Sequence, residues 1–161
     1  MNSDTKSLGD IIFSNAKHRV KIPKYQRPYA WELQQIEEFW DDIVQDNPTF
    51  FLGPVIVNIE HIKSKDPYIE VVDGQQRLIT ATILSAVIRD IYKSYGKDDL
   101  ASIIQGNFIS YKDLDNVDKG FRLTTGLSTN DFFSQFIVAD KLGYDQSQRS
   151  VDDYREVTIG I

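Results

Sequence analysis

The stretch YIEVVDGQQRLITA (residues 68–81) decides how the chain is to be read. Its first half alternates β-branched and aromatic residues, the pattern of a strand. Its second half opens a run to Tyr95 in which Leu78, Ile79, Ile83, Leu84, Val87, Ile88 and Ile91 cover more than half of a helical circumference. A helix apolar on most sides is the buried centre of a domain. Between them lies Asp73-Gly74-Gln75-Gln76-Arg77, a polar turn that feeds a helix N-terminus. There the unpaired N–H groups and the partial positive charge suit a phosphate. Gly74 permits close backbone approach, Gln75 and Gln76 carry both donors and acceptors, and Arg77 offers a planar fork for phosphate oxygens. Asp73 suits a metal-bound water or a nucleotide sugar. A structural alternative stands beside this: Asp73 and Gln76 have the spacing of a capping box with Asp73 at the N-cap, which leaves Arg77 a solvated charge.

Outward from this turn, FFLGPVIVNI (50–59) reads as a strand kinked at Gly53-Pro54 and paired with 68–72 as a hairpin. Upstream, Trp31 to Gln45 is an amphipathic helix, Arg19–Ile22 a short strand ended by Pro23, and Ser7–Ala16 a short helix. Downstream, Gly96 is a helix stop. The weaker signals predict a helix over 98–105, strands over 107–111 and 121–124, and a helix over 130–139. The tail 140–161 is polar until its last residues.

IPKYQRPYAW (22–31) is the second informative segment: Tyr25, Gln26, Arg27, Tyr29 and Trp31 sit on a loop stiffened by Pro23 and Pro28. Such a loop suits stacking and hydrogen bonding to a base or phosphodiester. The alternative makes Tyr29 and Trp31 anchors that pin the following helix to the core, the reading we prefer for Trp31.

Composition bounds the chemistry. The chain has 161 residues, 41% hydrophobic and 26% charged, with a net charge of −6. One globular domain with an ample core is expected. With no cysteine, disulfides, thiolate zinc sites and iron–sulfur clusters are excluded. Neither 50–57 nor 81–88 is long enough to span a bilayer, and a cytoplasmic protein is expected. The acidic balance excludes DNA coating, yet Asn15–Ala30 holds five Lys/Arg and no acid, a local anion site. No Walker, Rossmann, zincin or hydrolase-elbow motif occurs. His18 and His61 are the only histidines and lack ligand spacing. Asp41-Asp42 and Asp98-Asp99 read as solvated helix acids.

IPKYQRPYAW, FFLGPVIV and IEVVDGQQRLITA, in that order, resemble the amino-terminal domain of GmrS/GmrSD-type restriction and phage-defence proteins, in the ParB/sulfiredoxin-like superfamily. The resemblance covers roughly residues 5–95, and FRLTTGLSTNDFFSQFI (121–137) resembles a later family block more weakly. It implies a small α+β ParB-like domain over 5–139, with a short mixed sheet flanked by helices and the long helix buried, followed by a tail or the start of a further region over 140–161. It implies a nucleoside triphosphate with Mg²⁺, held by Gly74, Gln75, Gln76, Arg77, Gln26 and Arg27, and hydrolysis carried by Asp73 and Arg77, with Asp73 also the metal ligand. Lys24, Tyr25 and Tyr29 are the expected DNA or base contacts. The implied partners are DNA carrying modifications, reached through the full-length protein, and a carboxy-terminal nuclease domain or subunit; a homo-oligomer is compatible. Two features depart from the family. No histidine follows His61, so an HNH nuclease is not expected and the chain reads as an excised domain or truncated product. Ile79 stands where the family often has Thr. Two rival readings stay open: a non-catalytic module reading modified DNA through 17–31, and a scaffold remnant.

Overall fold

The structure is a computed structural model, and it describes residues 6–13, 18–44, 53–112, 118–126 and Phe133. The expected helix over 130–139 and the tail 140–161 lie outside them, Phe133 excepted. In chain order the elements are α1 (Leu8–Ile11), β1 (Arg19–Ile22), α2 (Leu33–Val44), β2 (Ile56–Asn58), a 3₁₀ turn (Glu60–Lys63), β3 (Tyr68–Asp73), α3 (Gln75–Ser94), α4 (Asp98–Ile104), a π-helical turn (Gln105–Ile109), β4 (Ser110–Lys112), β5 (Asp118–Phe121) and β6 (Leu123–Thr125).

Four strands form one mixed sheet in the order β2-β3-β1-β6, and β4 pairs with β5 apart from it. The hairpin is present: β2 runs antiparallel to β3, with a register shift between Ile56 and Val57 just after the Gly53-Pro54 kink. Strand β1 lies parallel to β3 on one side, Val20 opposite Ile69, and parallel to β6 on the other, Val20 opposite Leu123. The fold is therefore α+β, a mixed sheet flanked by helices with the long α3 against it.

The β1 alternation explains the layering. Val20 and Ile22 are fully buried and join Val71, Leu78, Ile79, Leu123 and Ile12 in one core, whereas Lys21 on the other face lies over the Tyr68 ring, 5.0 Å from its centroid. Tyr68 is stacked on His61 at 4.5 Å, and Arg19 pairs with Asp66. Ile79 is buried, which suits an apolar side chain at that departure from the family.

α3 is buried mainly over its first four turns, and only part of the expected apolar run is enclosed: Leu78 and Ile79 are buried, Ile83, Leu84 and Val87 are half-buried, and Ile88 and Ile91 are exposed. Its buried hydroxyls donate to carbonyls of the preceding turn: Thr80 to Gln76 O, Thr82 to Leu78 O and Ser85 to Ala81 O, each at 2.9 Å. These bonds satisfy groups that would otherwise be costly in a core. Arg89, also buried, donates from Nε to Asp90 (2.8 Å) and from a terminal nitrogen to Gln105 (2.7 Å). Gly96, at φ +67°, ends the helix region as expected.

Three boundaries differ from expectation. α1 is one turn long, because Ser7 and Asp10 form a complete capping box but the chain leaves the helix at Ile12. The strand expected over 107–111 starts only at Ser110, since Phe108 and Ile109 extend α4 as a π turn. The strand expected over 121–124 is split between β5 and β6. At the split, Arg122 donates to Phe13 O (2.8 Å) and Gly106 O (3.1 Å), tying α1 and the π turn to the sheet. Burial pushes its pKa below the ordinary arginine value, against an opposing contribution from Tyr111.

Gly126 directly follows β6, and its N–H bonds Ile22 O at 2.8 Å. A Cβ built there would lie 2.8 Å from both the backbone nitrogen and Cγ of Lys24, and 3.0 Å from Ile22 O. Gly126→Ala is expected to destabilise the fold by about 1–3 kcal/mol through overpacking, read from the urea midpoint at constant m-value.

Candidate functional site

Because β1, β3 and β6 are mutually parallel, their carboxyl ends (Ile22, Asp73 and Thr125) emerge at one edge of the sheet. The chain leaves β1 toward β3 and later crosses to β6 on the opposite flank, so β1 marks a topological switch. Ligands of open α/β sheets settle outside the carboxyl ends at such a point. The loop 23–30, the turn 73–77 and Gly126 all lie here.

The turn is built on Gly74, at φ +91° and ψ 6°. This left-handed conformation is costly for any residue with a Cβ. A Cβ would also approach Val55 Cγ2 to 3.0 Å. Gly74, and not Asp73, occupies the N-cap of α3, and no side chain caps the helix. The capping-box alternative is thereby corrected. The left-handed glycine swings Asp73 out to the exposed end of β3, and Gln76 reaches elsewhere. Among the described residues, the first free N–H groups of this 20-residue helix are consequently left without a side-chain acceptor.

Gln76 instead binds the proline-stiffened loop at both ends of its amide. Ala30 N donates to Oε1 at 2.9 Å, and Nε2 donates to Pro28 O at 3.1 Å. One turn on, the Tyr29 hydroxyl lies 2.8 Å from Thr80 Oγ1. Thr80 already donates to Gln76 O, so the phenol is the donor. Tyr29, expected at a DNA-contacting surface, is a core residue at 9% exposure. Burial raises its pKa, with the Thr80 bond opposing, and it stays a neutral donor. Trp31 meets Phe39 edge-on at 5.6 Å, the anchoring role preferred for it. Gln26 Nε2 donates to Val72 O at 2.9 Å, so the loop is stitched to β3 as well as to α3.

Arg77 is half-buried and lies across Gly53: its guanidinium atoms stand 3.1–3.3 Å from where a Cβ would be. It donates one bond to Pro54 O, at 3.3 Å, and its other N–H groups have no partner among the described residues. All three sequence blocks thus meet at one place. Of the remaining expected residues, Tyr25 is 74% exposed, and Lys24 and Arg27 are exposed on the same loop. The basic window is divided, since Arg19 and Lys21 are engaged on the sheet face. Gln75 is 5% exposed.

Sequence reasoning missed Gly53, Pro54, Thr80 and Gly126 as parts of this assembly. Only Gly53-Pro54 carried a signal, read as a kink. No group of three or more His, Asp or Glu suited to hold a metal occurs among the described residues, and none of their helices is long and apolar enough to cross a membrane.

The correction at the N-cap is testable. Gly74→Ala should cost about 1–3 kcal/mol from backbone strain, whereas Asp73→Ala should stay within about 0.5 kcal/mol. A capping Asp would instead cost about 1 kcal/mol. Chemical denaturation of the two variants distinguishes the cases.

Residues 8–158 match the family described as the GmrSD restriction endonuclease, N-terminal domain. An uncharacterized protein of Methanocaldococcus jannaschii, MJ0686, is 30% identical over 96 residues, covering 48% of this chain and 16% of the relative. The chain thus spans about a sixth of the length of that curated relative. With a match across nearly its whole length, and with the blocks that prompted the resemblance gathered at one sheet edge, the chain belongs to the GmrSD restriction endonuclease N-terminal domain family.

Proposed function

We propose that this domain binds a nucleoside triphosphate by its phosphates at the start of α3, as part of a modification-dependent restriction or phage-defence protein, with the nuclease supplied by another domain or subunit. One observation carries the reading. The uncapped N-terminus of a long helix, a left-handed glycine and an arginine with unused donors converge at the carboxyl ends of three parallel strands. Each favours an anion, and together they suit a polyphosphate. Arg27 and Lys24 add positive charge from the loop, and Tyr25 offers an exposed ring for a base.

Mg²⁺ supplies charge neutralisation to the phosphates when it accompanies the nucleotide. Asp73 is exposed at the strand end and is the acid of the motif. One carboxylate suits an ion that keeps several waters and takes its other ligands from phosphate. For hydrolysis, a water oriented by Asp73 would form the new bond to the γ-phosphorus and give up its proton to Asp73 or solvent as the bond to the β–γ bridging oxygen breaks, nucleoside diphosphate and phosphate leaving, with Arg77 and the α3 N–H groups carrying the developing charge. The ParB-like affinity of the fold and a cytoplasmic setting belong to the same proposal.

Thermal unfolding with ATP or GTP, with and without Mg²⁺, tests this. A ligand at about 100 times its Kd should stabilise the native state by about 2.7 kcal/mol. Arg77→Ala should weaken nucleotide binding by about one to two orders of magnitude, the loss of a charge-assisted contact worth about 1.5–3 kcal/mol, while its stability changes by less than about 1 kcal/mol because the Pro54 bond is at the surface. Absence of any nucleotide response, together with DNA binding that falls steeply with salt, would replace this reading with that of a DNA-reading module.

A further inference from the structure

α2 is an amphipathic helix that keeps most of its apolar face out of the core. Such a helix normally lays its apolar stripe on the protein interior, yet only Phe39 of α2 is buried. Phe39 joins the core and meets Trp31 edge-on, and this contact fixes how the helix is rotated. Trp40, about 100° further round, is turned away. With Leu33 seven residues before it and Val44 four after, Trp40 forms a ridge. The three positions lie within about 40° of one another on the helix surface and span about 16 Å along it. Leu33 is 69% exposed, Trp40 48% and Val44 52%.

The charge beside this ridge is of one sign. α2 carries Glu37, Glu38, Asp41 and Asp42 and neither lysine nor arginine. Glu37 and Asp41, one turn apart, are exposed along one flank of the ridge. Neither has an ion pair or hydrogen bond among the described residues.

Charge decides what covers the ridge. These acids repel DNA phosphates, an anionic lipid surface and the same helix of a second copy, in a chain whose net charge is already −6. A protein surface with an apolar cleft edged by lysine or arginine answers both features. The apolar anchors would sit in the cleft, as in helix-in-groove recognition, and the acids would orient the encounter. A protein part that cleaves DNA carries such cations, because it must hold phosphates.

We infer that α2 is the element by which this domain docks onto the DNA-cleaving part of the endonuclease. The Leu33–Trp40–Val44 ridge enters an apolar cleft, and lysine or arginine at the cleft edge faces Glu37 and Asp41. The inference rests on the reading above that the nuclease is another domain or subunit, and it does not depend on nucleotide binding. Trp40 is the central anchor, since a large aromatic residue in mid-interface contributes most to such contacts.

Photo-crosslinking in the complete endonuclease, produced in cells as one polypeptide or as its subunits, tests this. With p-benzoylphenylalanine at position 40, irradiation should join α2 to a peptide of the DNA-cleaving part in which apolar residues are flanked by lysine or arginine. With the probe at Leu33, Glu37→Lys combined with Asp41→Lys should lower the yield about tenfold or more, and so should Trp40→Ala. The melting temperature of the 161-residue chain should be nearly unchanged in both, because Phe39 is kept and the altered residues are exposed. Lysine or arginine to glutamate in the captured peptide should restore the yield of the double lysine variant. Capture of a second copy of this chain would overturn the inference, as would an undiminished yield in the double lysine variant. If the two parts copurify but position 40 captures nothing from the DNA-cleaving part, the docking surface is wrong and the nuclease reading stands. If they do not associate at all, the nuclease reading fails and the inference with it.

Discussion

Val20 and Ile22 are wholly enclosed, and between β3 and β6 the backbone of β1 bonds in parallel on both sides. That central position governs the placement of the candidate site. Parallel neighbours must end at the same edge, so three chain segments far apart in sequence are delivered together. The Pro23 loop leaves one, the Gly74 turn leaves the second and Gly126 follows the third. The Gly126 N–H to Ile22 O bond closes this edge and leaves no room for a side chain between them.

A second layer of constraint keeps the delivered segments in place. Loops usually owe their shape to local turn chemistry, and here Pro23 and Pro28 restrict the backbone. Yet the loop is held from a distance in sequence by α3, through Gln76 to the backbone at Pro28 and Ala30 and through Thr80 to Tyr29. Gln26 adds a bond to the end of β3. Gln76, which could have completed a capping box, is therefore used on the loop, Asp73 lies at the exposed end of β3, and the helix N-terminus stays open. Openness at that end is unfavourable for stability and useful for an anion, the exchange that functional sites commonly show.

Much of the architecture was legible in the residues. Alternation placed β1 and β3, the wide apolar run placed α3, and Gly96 ended it, because each depends on side chains within a few positions of one another. The hairpin of β2 and β3 was legible for the same reason. Local signals misled where a distant residue competed. Asp73 and Gln76 have capping-box spacing, but a left-handed Gly74 takes the N-cap and the backbone of Pro28 and Ala30 takes the glutamine. Phe108 and Ile109 have strand propensity, but the chain carries on as a π turn there, where Arg122 reaches Gly106 O.

The site divides along the same line. Residue types alone marked 22–31 and 73–77 as the two polar segments suited to the anion site proposed above, with a helix cap and core anchors as their structural alternatives. Which members turn inward was decided only by the tertiary structure. Tyr29 became a core donor, Trp31 an anchor and Gln76 a strut, while Tyr25, Lys24 and Arg27 stayed outside. Arg77 took its position from Gly53 and Pro54, more than 20 residues earlier. A single chain encodes what each residue can bond, but competition among partners is resolved only when strands with long connections pair. The parallel placement of β1 between β3 and β6 decides that competition.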